Sequence, residues 1–236
     1  MTMSSLLKLT STIVHRPSSG AASGRPSAAV VWTHGLGDTP HGWAMLTQSF
    51  ARAMPHAIFV HPAAPNLPVS CNMGAVMPSW MDLLNIPVTP GMEDNGRDLD
   101  ESVAMMHATV DDIVASENIP ADRIVLAGFS QGGALSLVSA LKYPKKLAGT
   151  VVLSGWCPPK ADVNALVAAS PTKDGKFFIG HGDADGVVVP SCGEEVVKVL
   201  KQNGVAVTSE VYPNMAHSSC GKEEKDVLEF LKEVIP

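Results

Sequence analysis

Short, uninterrupted apolar runs alternate along the chain with longer segments in which apolar residues recur every three or four positions. The runs are typical of strands buried on both faces of a parallel sheet, and the periodic segments are typical of amphipathic helices. The predicted strands cover 28–32, 57–60, 124–127, 149–153, 177–179 and 205–212, with a further edge strand at 9–15. The predicted helices cover 43–54, 98–117, 131–141, 163–169, 194–202 and 223–234.

This alternation predicts an α/β fold with a mostly parallel central sheet and helices on both faces. Residues 28–236 are expected to form a single domain. Residues 1–27 are expected to add the edge strand and then a flexible turn, because the segment that precedes residue 28 is rich in Ser, Gly and Pro. Residues 61–91 contain several prolines and show little periodicity, which predicts a long, lid-like loop.

Composition narrows the classes of function. The 236 residues carry a net charge of −6, which argues against nucleic acid as a partner. The four cysteines are widely spaced and form no Cys-x-x-Cys pair, so reduced thiols in a cytoplasmic protein are expected. No apolar run approaches the roughly 18 residues of a membrane span. No motif for a metal or a nucleotide is present, so neither a metal nor another cofactor is expected.

A Gly-x-Ser-x-Gly pattern joins the predicted strand 124–127 to the helix 131–141. Ser130 stands at the turn, and Gly128 and Gly132 flank it. A tight strand-to-helix turn of this kind exposes a serine hydroxyl, and small residues are needed two positions on either side. Ser130 is therefore the candidate nucleophile.

A serine needs a base to remove its proton, and an acid must orient that base. Of the eight histidines, His217 is the best candidate base, because it lies in a polar loop between the last strand and the last helix. The acid is expected between Ser130 and His217 in the chain. Asp183 and Asp185 both follow the strand 177–179, and the pattern does not choose between them. Asp162 is a more remote alternative.

The tetrahedral intermediate of acyl transfer needs two donors for its oxyanion. One is expected from the residue after the nucleophile, which makes the backbone N–H of Gln131 a candidate. The other is expected from the glycine-rich loop 34–37, which follows the strand 28–32.

Several of these segments together resemble the acyl-protein thioesterase and lysophospholipase-like carboxylesterase family. They are His-Gly-Leu-Gly-Asp-Thr at 34–39, His-Gly-Trp at 41–43, Met-Pro-Ser-Trp-Met-Asp at 77–82, Gly-Phe-Ser-Gln-Gly-Gly-Ala-Leu-Ser-Leu at 128–137, His-Gly-Asp-Ala-Asp at 181–185 and Met-Ala-His-Ser-Ser-Cys at 215–220. The resemblance implies an α/β-hydrolase fold and hydrolysis of long-chain acyl thioesters or esters, including palmitoyl-cysteine on proteins. It also implies Asp185 as the acid and the amides of Leu36 and Gln131 as the oxyanion donors.

The resemblance gives the segment 61–91 a role in binding the acyl chain. Six apolar residues are expected to line an acyl groove: Met73, Met77, Trp80, Leu83 and Leu84, with Trp156 opposite. Acylated proteins, small acyl esters and lysophospholipids are the expected partners, with transient contact with a membrane surface and a homodimer as further expectations. Thr2 stands where some members have an acylated cysteine, so recruitment by self-acylation is not expected.

Two other functions stay open at this point. One is a broad carboxylesterase or lysophospholipase with no protein substrate, which the sequence does not separate from a thioesterase. The other is a receptor of the hydrolase fold that binds a small apolar ligand with little turnover. The presence of Ser130, Asp185 and His217 together favours a hydrolase over a receptor.

Overall fold

A central sheet of seven strands runs through the computed structural model, which describes residues 12–16 and 25–236. The strands are β1 (Ile13–His15), β2 (Ala28–Thr33), β3 (Ala57–His61), β6 (Ile124–Phe129), β7 (Gly149–Leu153), β8 (Lys176–Gly182) and β9 (Ala206–Tyr212), and a separate hairpin holds β4 (Asn66–Val69) and β5 (Ala75–Pro78). Their order across the sheet is β1-β3-β2-β6-β7-β8-β9. All neighbours pair in parallel except β1 and β3, which are antiparallel.

Helices cover both faces of this sheet, as predicted. They are α1 (Ala44–Ala53), α2 (Leu99–Glu117), α3 (Gln131–Lys142), α4 (Val163–Ala169), α5 (Pro190–Gln202) and α6 (Gly221–Val234). One apolar core includes Phe50 of α1 and Phe230 of α6, and a second includes residues of α2, α3, α4 and α5. None of these described helices is long and apolar enough to cross a bilayer.

The helix and strand boundaries differ from the predicted ones by a few residues, and α5 shows why. It begins at Pro190, four residues before the predicted start. Proline is favoured in the first turn of a helix because its missing N–H has no intrahelical acceptor there. The predicted start of α5 rested on the periodicity of apolar residues, which does not include this preference of proline. The first turn of α5 was therefore not predicted.

The segment 61–91 is not the single irregular loop that its composition predicts. Its first part forms the hairpin of β4 and β5, with Met73 at the tip in a left-handed conformation (φ 56°). Pro68 and Pro78 lie within these strands and lack an N–H donor, which argues against strands in a sequence-based prediction. A two-stranded hairpin tolerates them because each strand has a free edge.

The predicted N-terminal edge strand is present over Ile13–His15, which pairs with β3 at the edge of the sheet. The start of the predicted strand, 9–11, and most of the predicted turn, 17–24, lie outside the described residues.

Candidate active site

Ser130 lies in the turn between β6 and α3, in a backbone conformation that is rare for a residue with a side chain. Its φ is 56° and its ψ is −123°, and its N–H donates to the carbonyl of Leu153 at 2.8 Å. Such conformations cost free energy and persist only where neighbouring structure enforces them. The turn is therefore built to present one serine hydroxyl at the carboxyl end of the sheet.

The two glycines around Ser130 are required by close packing. A Cβ atom on Gly128 would collide with the backbone of Gly132 and with Oγ1 of Thr33, and one on Gly132 would collide with the carbonyls of Thr33 and His34. Both glycines of the sequence pattern therefore allow α3 to start directly against the end of β2.

Three loops bring Ser130, His217 and Asp185 into one hydrogen-bonded chain. Nε2 of His217 lies 2.9 Å from Oγ of Ser130, and Nδ1 lies 2.7 Å from Oδ2 of Asp185. Because a carboxylate only accepts, Nδ1 carries the proton and Nε2 is free to accept the proton of the serine hydroxyl. The His217 ring also packs against Phe129, with the ring centres 4.7 Å apart.

Asp185 is buried and fully hydrogen bonded. Its Oδ1 accepts from the amides of Val187 and Val188, both at 2.9 Å, and Nε2 of His181 lies 3.4 Å from Oδ2. Burial by itself raises the pKa of Asp185, but the hydrogen bonds from His181, His217 and the two amides outweigh it. They hold the pKa of this carboxyl well below its usual range, so it is ionised at neutral pH.

The other two candidate acids have different partners. Asp183 accepts from the amide of Asn214 at 2.6 Å and shapes the loop. Asp162 caps α4, with its side chain accepting from the amide of Ala165 at 3.2 Å. Of the three aspartates, Asp185 is the one that contacts His217.

The two predicted oxyanion donors belong to different elements of the structure. Gln131 is the first residue of α3, where a backbone N–H has no intrahelical acceptor and the helix dipole favours negative charge. Leu36 lies in the loop after β2, and both residues line the same cavity as Ser130.

A mostly apolar cavity of about 380 Å³ opens onto Ser130 and His217. Its apolar lining consists of Leu36, Trp43, Leu83, Ile86, Val88, Phe129, Trp156, Val187 and Val188. A cavity of this size with a few polar groups at one end is typical of a small-molecule site.

Of the six residues predicted for an acyl groove, Leu83 and Trp156 line this cavity. Met73, Met77, Trp80 and Leu84 do not. The hairpin carries Met73, which is fully exposed, to its tip, while Sδ of Met77 accepts from Nδ2 of Asn72 within the hairpin. Trp80 is completely buried behind the loop 34–37, and Leu84 is half-buried outside the cavity.

Sequence reasoning missed several cavity residues, and the reason is tertiary. Val88 pairs with the loop that follows Asp185: its N–H donates to Val187 at 2.8 Å, and its carbonyl accepts from Val189 at 3.1 Å. This bridge brings Ile86 and Val88 over the site. The position of Val187 and Val188 directly after the acid was the signal that could have found those two. No cluster of three or more metal-ligating side chains occurs among the described residues.

Comparisons with known proteins show the family of this chain. A model of the phospholipase/carboxylesterase family matches residues 19–235. Over 237 residues the chain is 39% identical to acyl-protein thioesterase 1 of Mycosarcoma maydis, covering 95% of this chain and 97% of that protein.

The chain is also similar to solved structures. Arabidopsis thaliana SOBER1 is 33% identical with a TM-score of 0.81, over 89% of this chain and 99% of that one. Zea mays acyl-protein thioesterase 2 is 29% identical with a TM-score of 0.79, over 95% and 99%. The family predicted from the sequence is thus confirmed: the chain belongs to the phospholipase/carboxylesterase family and is a hydrolase with the α/β-hydrolase fold.

Proposed function

We propose that this protein is an acyl-protein thioesterase, a serine hydrolase that removes palmitoyl groups from cysteines of proteins. The observation that carries the proposal is the hydrogen-bonded chain of Asp185, His217 and Ser130, because Ser130 and His217 line a mostly apolar cavity. The thioesterase names of relatives that match nearly the whole chain support the choice of substrate class.

In the proposed reaction, Oγ of Ser130 attacks the thioester carbonyl while Nε2 of His217 takes the hydroxyl proton. The amides of Leu36 and Gln131 stabilise the oxyanion that forms. When the intermediate collapses, the C–S bond breaks and His217 returns its proton to the cysteine thiolate. Water activated by His217 then attacks the acyl-enzyme, which releases the fatty acid and restores Ser130.

The apolar cavity favours long acyl chains. Burying an acyl chain releases about 0.8 kcal/mol for each methylene group, so a palmitoyl tail gains roughly 12 kcal/mol at most. The cavity surrounds the nucleophile with Leu83, Ile86, Val88 and Trp156, which suits this burial. A short acyl group would leave most of that free energy unused.

We also propose that the tip of the hairpin contacts membrane surfaces transiently, because the acylated substrates reside there. Met73 is fully exposed and Val76 is 68% exposed. Exposed apolar side chains of this kind gain free energy at a lipid interface. The four unpaired cysteine thiols support a reducing compartment, and we place the enzyme in the cytoplasm.

Vesicle sedimentation tests the membrane contact. M73S and V76S together should reduce binding to phosphatidylcholine–phosphatidylserine vesicles, whereas M45S should not, although Met45 on α1 is also 85% exposed. Sedimentation velocity on the same proteins tests the homodimer expected from the sequence. If the hairpin variant changes the oligomeric state and leaves vesicle binding unchanged, the hairpin is an interface between copies rather than a membrane contact.

A substrate comparison tests the main proposal. Wild type and S130A are assayed with a palmitoyl-cysteine peptide, the matching acetyl-cysteine peptide, a butyrate ester and a lysophospholipid. We expect the palmitoyl peptide to have the highest kcat/KM and S130A to be inactive. Faster turnover of the butyrate ester or the lysophospholipid would favour the carboxylesterase or lysophospholipase. Tight binding without turnover would favour the small-ligand receptor.

A further inference from the structure

The side chain of Gln131 is buried and uses its carboxamide completely. Its Oε1 accepts from the backbone amide of Trp80 at 2.8 Å, and its Nε2 donates to the carbonyl of Met81 at 2.7 Å and to Oγ of Ser79 at 3.1 Å. A carboxamide supplies both an acceptor and two donors, which no other side chain of this shape offers. The residue after the nucleophile is therefore attached to the segment 79–81.

Trp80 extends this connection to the other side of the site. Its indole Nε1 donates to the carbonyl of His34 at 2.8 Å, and its ring lies 5.2 Å from the His34 ring. Trp80 is completely buried, and its carbonyl accepts from Oγ of Ser102 on α2. The indole is thus a fixed support and has no surface in the acyl cavity.

The loop that carries Leu36 is held on both sides of that residue by the same segment. Before Leu36, the carbonyl of His34 accepts from Trp80; after it, the amide of Gly37 donates to the carbonyl of Pro78 at 2.8 Å. The amide of Ala64 donates to Nε2 of His34 at 3.2 Å and adds a further support. Leu36 and Gln131 are far apart in the chain, and residues 78–81 connect them.

We propose that Gln131, through its side chain, and Trp80 are positioning residues that set the distance between the two amides of the oxyanion hole. This inference rests on the proposed function, which assigns those amides to Leu36 and Gln131. Preorganised donors stabilise the transition state only at the correct distance from the developing charge. Loss of the hydrogen bonds by which residues 78–81 connect the two amides should therefore lower kcat. It should leave the binding of the acyl chain unchanged, since Trp80 does not line the cavity.

A buried tryptophan could also act through fold stability alone, and a second tryptophan separates the two roles. Trp32 on β2 is 1% exposed, and its Nε1 has no hydrogen-bond partner among the residues described. W32F and W80F remove the same atoms, including the indole N–H, from buried sites. Only W80F thereby loses a hydrogen bond, the one that Nε1 of Trp80 donates to the carbonyl of His34.

The test measures kcat, KM and the melting temperature of wild type, W80F and W32F with a long-chain thioester, and the Ki of an alkyl boronic acid, whose serine adduct mimics the tetrahedral intermediate. W80F should lower kcat by about 10- to 100-fold, below the 10²–10³-fold loss typical of deleting a whole donor. Its KM should stay within about twofold, and its boronate Ki should rise in parallel with the fall in kcat. W32F should stay within about twofold of wild type in all three constants.

If W80F does not fold, Trp80 is replaced by benzothienylalanine, which keeps the ring shape and lacks the N–H. With either protein, a kcat and a boronate Ki that match those of wild type would contradict the inference. A change confined to KM would contradict it as well. Failure of the proposed function gives a different result. In that case wild type and S130A hydrolyse the substrate equally, or neither does.

Discussion

Oδ2 of Asp185 lies 2.7 Å from Nδ1 of His217, while Oδ1 of the same carboxylate accepts hydrogen bonds from the amides of Val187 and Val188. The two amides fix the orientation of the carboxylate independently of the histidine. The carboxylate then fixes the tautomer of His217, so that Nε2 faces Ser130 without a proton. The loop after β8 therefore determines which nitrogen of the neutral His217 ring carries the proton.

Exchange of Asp185 for asparagine tests this orientation. The two amides would retain the carboxamide oxygen, so the NH₂ group would face Nδ1 of His217 and force the proton onto Nε2. We expect D185N to fold and to lower kcat by about 10³- to 10⁴-fold. D183N is the matched control, because an amide oxygen can still accept from Asn214. A kcat of D185N within about tenfold of wild type would contradict this role.

The close packing of Gly132 beside Ser130 predicts an effect on stability. In G132A the new methyl group would meet the carbonyls of Thr33 and His34, which belong to the backbone and cannot move independently. We expect G132A to lower the free energy of unfolding by more than about 4 kcal/mol or to prevent folding. G221A, at the start of α6 where nothing lies within 4 Å, should change it by less than about 0.5 kcal/mol. Urea denaturation measures both, and equal stabilities would refute the packing explanation.

Glu223 makes stability depend on pH. It is completely buried in α6, and both of its carboxylate oxygens lack a hydrogen-bond partner among the described residues. Burial raises its pKa from 4.5 to about 7, although Ser219 and His181 oppose the shift. Between these values the folded protein retains a proton that the unfolded chain has released, so stability falls as pH rises through this window.

E223Q should remove this dependence, because the carboxamide does not titrate. The free energy of unfolding of E223Q minus that of wild type should be about 3 kcal/mol larger above pH 7 than below pH 4.5. The measurement is urea denaturation across that range. E229Q, at an exposed position of the same helix, is the control. A difference between E223Q and wild type that does not change with pH would show that Glu223 is not neutral in the folded protein.

Cavity filling tests the acyl site. Leu83 lines the cavity and its neighbour Leu84 does not, so L83W and L84W form a matched pair. Each methylene group excluded from the cavity should lower kcat/KM by about fourfold. We expect L83W to lose activity on palmitoyl thioesters and to retain it on butyryl thioesters, while L84W keeps the chain-length preference of wild type. The acyl chain binds elsewhere if L83W also retains that preference.

The sequence was sufficient to predict the parallel sheet and the strand-to-helix turn at Ser130, and it selected His217, which the structure places 2.9 Å from Oγ of Ser130. The signals were the continuous apolar runs, the Gly-x-Ser-x-Gly pattern and the polar loop after the last strand, and each can be recognised within a short segment. The local pattern did not choose between Asp183 and Asp185, because both follow β8. The family resemblance implied Asp185, and the hydrogen bonds of the structure distinguish the two residues. Trp80 shows the same limit: an apolar residue near a site can line the cavity or support it from behind.

Active-site labelling tests whether Ser130 is the nucleophile. Wild type and S130A are treated with a fluorophosphonate probe, and the modified residue is identified by mass spectrometry of proteolytic peptides. We expect a single adduct on Ser130 in wild type and no adduct in S130A. An adduct on another residue of the wild type, or equal labelling of S130A, would contradict this role of Ser130.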